Sequence, residues 1–334
     1  MNLPNVDEMT DSGNHLNSGV PTGRETWAEL KLSPDQYRRL VNRYRLRYLR
    51  RASGFLAPYM ILWLVFLAIP VGWAIFLSFN DDGVLAPRYW VGFENWARTF
   101  DDSELTQVVF NTSVFVVLAI TIVFGLAIFL ASLINNHRRG ENFFKVTLYF
   151  PLLAPPILGA MIWHFMLHFD FGIVNLIKVG IFGGEGVNFL GKNPRAMGSI
   201  IAVEIWRGLG FWVLFYLAGL QSVPGEFLEA AKLDGARSFR RFLRISAPMM
   251  RPLFLFALVI AIIMNFQLFD SVKILTDGGP RMGTATIVWF IYRRMFAFQD
   301  TGLAFAASVG LLIGTMLLTL AVFWLLRQRS KGET

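Results

Sequence analysis

Apolar residues gather along this chain in long unbroken runs, at about 55–79, 108–134, 146–167, 196–220, 253–275 and 303–326, with polar stretches between them. Each run holds the roughly 20 residues that a helix needs to cross about 30 Å of hydrocarbon. Their continuity favours helices over barrel strands, which alternate apolar and polar positions, because lipid offers no partner to an unpaired backbone group. The pattern predicts an all-α membrane protein of six transmembrane helices. Around them it predicts a polar N-terminal segment, 1–52, a membrane domain, 53–327, and a short tail, 328–334.

Composition agrees with the pattern, since 54% of the 334 residues are hydrophobic, 16% are charged and 32 are Phe, with a mean hydropathy of +0.49. Such values lie outside the soluble range. No early apolar stretch precedes a small-residue cleavage site, so the first run is expected to anchor the chain and not to be removed. A basic helix near 33–51 is the one element expected ahead of it.

Basic residues then orient the bundle, because Lys and Arg near span ends stay on the cytoplasmic side. The edges 43–51, 138–145, 232–251 and 327–331 carry seventeen of them, against eight at 88–98, 178–195 and 281–294. Both termini are therefore expected in the cytoplasm. The net charge of +8 is spread over these edges and not gathered with aromatics into a nucleic-acid face, so no nucleic-acid partner is expected. With no cysteine, disulfides and thiolate ligands are excluded.

One charged stretch interrupts the pattern at residues 229–248, EAAKLDGARSFRRFLRISAP. Phe227, Ala230 and Ala231 recur at helical spacing behind Pro224. Gly235 then offers the residue that accepts a left-handed helix end most cheaply. Ser238 is a good N-cap for a second helix that sorts Phe239, Phe242 and Leu243 from Arg240, Arg241 and Arg244. A basic amphipathic helix of this kind also suits an anionic lipid surface.

Glu229, Ala230, Ala231, Asp234, Gly235 and Ala236, followed by Phe242, Ile245 and Pro248, resemble the signature loop of ATP-binding-cassette importer membrane subunits, with Ala247 standing where leucine is usual. Leu275, Thr276, Asp277, Gly278, Gly279 and Pro280 are similar to the LT-x-GGP motif of the carbohydrate-uptake members of that family. Gly92, Asn95 and Trp96, then Asn111 and Thr112, then Ala304 to Ser308 are weaker echoes. The resemblance implies a non-enzymatic permease subunit in a bacterial cytoplasmic membrane, without a cofactor, that carries a sugar or oligosaccharide. It implies a second homologous permease, two ATPase subunits and an extracytoplasmic solute-binding protein as partners. The loop 222–251 would dock on an ATPase through Glu229, Ala230, Ala231, Asp234, Gly235 and Phe239. An importer of glycerol 3-phosphate or a related phosphodiester is the alternative, with a stand-alone channel or membrane-embedded enzyme more distant.

Charged residues inside spans cost about 2.5–3.5 kcal/mol each at the bilayer centre and tend to face a partner or a water path. Glu204 and Arg207 are three apart on span four and can pair, while Asn265, Gln267, Asp270 and Lys273 form a second polar set. Either Glu204 and Arg207 simply neutralise each other while Asp270 and Lys273 lie shallowly at the outer end, or these groups, Asp270 included, line the substrate path. The resemblance adds to that path Glu204, Trp206, Arg207 and Gly208 on one span and, in the stretch Asn265 to Leu268, Asn265 and Gln267 on another, although span three offers Leu152 and Pro156 where polar groups are common. Two decoys are set aside. The stretch 186–193 nearly spells a phosphate loop, but Asn193 lacks the magnesium-binding hydroxyl and no strand precedes it. His164, His168 and Asp170 could hold a metal by spacing, yet an outer interface suits half-wet imidazoles equally, and no metal is expected.

Overall fold

The structure, a computed structural model, describes residues 53–80, 89–136 and 140–331, together with Arg39 and Asn42. Apart from Arg39 and Asn42, the expected basic helix near 33–51 and the N-terminal polar segment lie outside these residues. The chain divides into two units, 1–72 and 73–334. Helix α1 (Ser53–Leu77) begins in the first; a π turn at Leu64–Ala68 interrupts its α-helical bonding.

The second unit continues with α2 (Glu94–Asp101), α3 (Ser103–Asn136), α4 (Glu141–Leu153), α5 (Pro156–Met166) and α6 (Ile173–Phe182). Then come α7 (Arg195–Gln221), α8 (Gly225–Leu233), α9 (Ser238–Arg241), α10 (Arg251–Phe266), α11 (Asp270–Leu275), α12 (Ile287–Tyr292) and α13 (Thr301–Lys331). Among the described residues the secondary structure is helical, apart from one isolated bridge between Asn80 and Trp90.

Helices α3 and α7 pack along each other at the centre. Phe115, Val213 and Tyr216 are completely buried there, and the Phe124 ring meets Trp212 and Tyr216 edge-on at 4.9 and 5.4 Å. Gly210 makes the neighbouring crossing possible, because a Cβ at that position would collide with the Leu148 carbonyl. Large apolar side chains such as Phe129, Phe165, Leu317 and Phe323 point outward, as expected where the solvent is lipid.

Two of the expected spans are not continuous helices. The third bends by 96° between α4 and α5. Ala154, held extended ahead of Pro155, ends one helix, and Pro156 opens the next, because proline removes a donor and disfavours the α region for its predecessor. Among the described residues five helical segments are long and apolar enough to cross a membrane, and the bent pair counted as one span makes a sixth. The fifth span, 253–275 in the sequence reading, breaks at residues 267–269, where Phe269 takes φ −138° and ψ −55° before α11 resumes.

Candidate transport path and coupling surface

The break in the fifth span opens onto a cavity of about 410 Å³ between α3, α4, α7 and α10–α11. Glu204, Arg207, Gly208, Asn265, Gln267 and Asp270 all line it, so the structure brings together six of the seven residues expected on the substrate path. Trp206 is the exception: it turns toward α5, where its ring meets Trp163 edge-on at 5.5 Å. One residue along a helix is about a 100° turn, which carries Trp206 off the face shared by Glu204, Arg207 and Gly208.

Arg207 donates from Nη2 to Glu204 Oε2 at 2.6 Å, one helical turn apart. The other carboxylate oxygen, Oε1, accepts a short hydrogen bond from the Ser271 hydroxyl on α11. Ser271 is 1% exposed, so a buried hydroxyl joins the span that breaks to the one that carries the charges. Arg207 Nε is buried without a partner. Asn265 Nδ2 donates to the Ala261 carbonyl at 2.8 Å, whereas Gln267 and Asp270 make no side-chain hydrogen bond among the described residues. Tyr149, Phe211, Trp212 and Phe269 supply aromatic surface to the same cavity. Lys273 lies elsewhere, donating to Asp277 at 2.8 Å.

The charged loop folds as a helix, a glycine turn and a second helix. Gly235 adopts φ +75°, Ala236 N–H bonds Ala231 C=O at 2.9 Å and Gly235 N–H bonds Lys232 C=O at 3.1 Å. This pair of bonds is the Schellman pattern, which closes a helix end through a left-handed residue. Leu228, Phe242 and Ile245 pack against the core, while Phe227, Leu233, Phe239 and Leu243 stay exposed. Glu229, Ala230, Asp234 and Gly235 are exposed as well, and Ala231 is half-buried. One local expectation is corrected: Arg237, not Ser238, occupies the N-cap, with no side-chain cap bond. Helix α9 runs on into a π turn at Phe242–Ser246.

The glycine-rich motif after α11 is built differently. Leu275 is buried, and Thr276 Oγ1 lies 2.7 Å from Thr284 Oγ1, which donates to the Gly279 carbonyl at 2.6 Å. Gly278 stands at φ +79° beneath Trp289, whose ring would lie 2.7 Å from an added Cβ. Pro280 accepts Gly283 N–H through its carbonyl at 2.9 Å. Asn111 at the start of the second span donates to the Met282 and Ala285 carbonyls at 2.7 and 3.0 Å, and Thr112 Oγ1 accepts Ile287 N–H at 3.0 Å. The Asp277 carboxyl is held below the usual carboxylate range, first by the hydrogen bond from Lys273 and then by that from Trp289.

Several lesser sequence signals acquire structural roles. Asn95 is buried and donates to the Ser78 and Asn80 carbonyls at 3.2 and 2.8 Å, and Trp96 Nε1 donates to Ser78 Oγ at 3.3 Å. Ser308 bonds back to the Ala304 carbonyl. His168 stacks on Phe171 at 3.8 Å, and Gly191 N–H in the near phosphate loop bonds Asn188 Oδ1 at 2.6 Å in a local turn. Sequence reasoning passed over Ser271, α12 and the ion pairs of Arg294 with Asp102 and Glu104 at 2.5 and 3.0 Å. A serine two residues before a lysine in an apolar run was the only available signal for the first.

Residues 123–331 match the family described as binding-protein-dependent transport system inner membrane component. The chain belongs to that family. It is thus the multi-pass inner-membrane permease subunit of a binding-protein-dependent transporter, and it is not itself an enzyme. The permease is 30% identical to the trehalose/maltose transport system permease protein MalF of Thermococcus litoralis, over 79% of this chain and 90% of that protein. It is also 30% identical to the sn-glycerol-3-phosphate transport system permease protein UgpA of Salmonella choleraesuis, over 80% and 90%. Among solved structures it resembles a chain of a bacterial ABC transporter involved in the import of the acidic polysaccharide alginate. That likeness has a TM-score of 0.75 at 24% identity and covers 87% of this chain and 99% of the other.

Proposed function

We propose that this permease carries a neutral sugar or oligosaccharide inward, through the cavity between the fourth and fifth spans. The observation that carries the reading is the charge of that cavity. Two carboxyl groups, Glu204 and Asp270, face one guanidinium, and that guanidinium already bonds Glu204. A phosphate ester would meet an excess of negative charge and a partly occupied arginine. Hydroxyl-rich rings suit the lining better, because aromatic faces take the ring while carboxyl and amide groups bond its edges. A glycerol 3-phosphate relative and a sugar relative are equally similar to this chain, so the substrate is argued from the site.

A second homologous permease and two ATPase subunits complete the transporter, and a solute-binding protein delivers substrate from outside. The exposed helix, glycine turn and helix around Gly235 dock on an ATPase, and closure driven by ATP swings the bundle between outward and inward access. Both termini and this loop face the cytoplasm, supported by the asymmetry of basic residues. In the otherwise cysteine-free chain an impermeant thiol reagent applied to intact cells should label a cysteine at 277 and spare one at 235; the reverse would overturn the orientation. For the substrate, the assembled complex is reconstituted and its ATPase activity measured with the binding protein and a panel of ligands. Neutral saccharides should stimulate it, and stimulation by glycerol 3-phosphate alone would refute the carbohydrate reading.

A further inference from the structure

The Glu204–Arg207 pair is bonded at one point only. An arginine fork facing a carboxylate ordinarily forms two parallel bonds, but here a single bond runs from Nη2 to Oε2. Ser271 takes the second oxygen, Oε1. Nε–H, which shares a fork edge with Nη2, is buried without a partner, while the Arg207 side chain as a whole is 25% exposed and lines the cavity.

We infer that Ser271 is a positioning residue which, by hydrogen-bonding Glu204 Oε1, competes with two-point pairing and keeps Arg207, held at one point, available to the transported molecule. The inference rests on the substrate-path reading above. Ser271 does not touch the substrate: it is buried and does not line the cavity. It acts through the carboxylate, and its place on α11, two residues beyond the break at 267–269, makes that setting depend on the geometry of the broken span.

The test uses the complete importer in membranes, with uptake KM and maximal rate measured for whichever ligand stimulates the parent complex, alongside the amount of assembled complex. Ser271→Ala frees Oε1, lets the fork close on Glu204 and should raise KM about threefold to tenfold while the maximal rate stays within about twofold. Ser271→Thr keeps the hydroxyl and should keep the parental KM. If Ser271→Ala assembles poorly, Ser271→Cys, close in volume and a weak donor, carries the same expectation. In a Glu204→Gln background the neutral amide cannot form the two-point pair, so adding Ser271→Ala should leave KM where Glu204→Gln put it. A mere tether would still matter there, because the amide carbonyl accepts the same serine bond. An unchanged KM in Ser271→Ala, or a further rise in the double variant, overturns the inference. Arg207→Gln in the same assay separates the two levels: if it leaves KM unaltered, the substrate-path reading falls. If it raises KM and Ser271→Ala does not, only the role of Ser271 falls.

Discussion

The two glycine turns that carry the family resemblance, one at Gly235 and one at Gly278, share a left-handed backbone and little else. Around Gly235 the chain is open: an added Cβ would meet nothing within 4 Å, and Leu233 and Phe239 flank it at 89% and 72% exposure. Around Gly278 every side is occupied. Trp289 covers the glycine, Thr276 and Thr284 cross-bond beneath it, and Asn111 and Thr112 tie the loop that follows to the second span. Equal backbone geometry thus serves opposite ends. A turn whose apolar neighbours are exposed suits contact with another chain, whereas a turn packed on all sides holds its own fold together.

The comparison is broken most severely at Gly278. A valine there meets two obstacles: the left-handed conformation, at roughly 1–2 kcal/mol, and the indole of Trp289, at about 1–3 kcal/mol for overpacking. The indole has no easy retreat, because its Nε1 donates to Asp277 at 3.0 Å. Gly278→Val should lower the yield of folded permease and its thermal midpoint in detergent. A parental midpoint would show that this loop is not the fold-holding turn.

Gly235→Val is the sharper and smaller test. The same backbone strain of roughly 1–2 kcal/mol applies, with no steric obstacle added. The variant should insert in normal amount yet lose transport and co-purification with the ATPase, since the chain reversal that presents α8 is disturbed. Full uptake by Gly235→Val would remove the docking role from this turn.

How much of this was legible in the sequence follows from what a hydrophobic run encodes. It reports that a segment prefers lipid, so all six runs were readable, and glycine between two short amphipathic stretches foretold the Gly235 turn. A run says little about direction within lipid. The 96° bend passed unnoticed although Pro155 and Pro156 marked it, because hydropathy averages across a corner. The break at 267–269 carried no glycine or proline to announce it. The cavity residues were identified because charge inside lipid is costly. Ser271 was missed because a serine can satisfy itself within its own helix, so only the spatial approach of Glu204 gives it meaning. Trp206 was placed on the path by resemblance, and its turn toward Trp163 depends on the rotation of α7, which no local pattern fixes.

The smallest effect is expected at Asp277, and its value lies in the sign. Its carboxyl accepts from Lys273 at 2.8 Å and from Trp289 at 3.0 Å, and these contacts hold its pKa below the usual carboxylate range. A depressed folded-state value means that the stabilisation is present above the unfolded value and is lost as pH falls through the folded one. The side chain is 63% exposed, so solvent and salt screen the ion pair, and exposed pairs contribute about 0.2–1 kcal/mol at most. Asp277→Asn keeps an oxygen for Trp289 and gives up the charge attraction to Lys273 and, more weakly, to Arg293. At neutral pH the variant should melt slightly below the parent. The gap should close as the pH is lowered below the ordinary carboxylate range and shrink also in high salt. No gap at any pH would mean that Asp277 serves Trp289 as an acceptor alone, and that the loop is held by its packed glycine and threonines without help from charge.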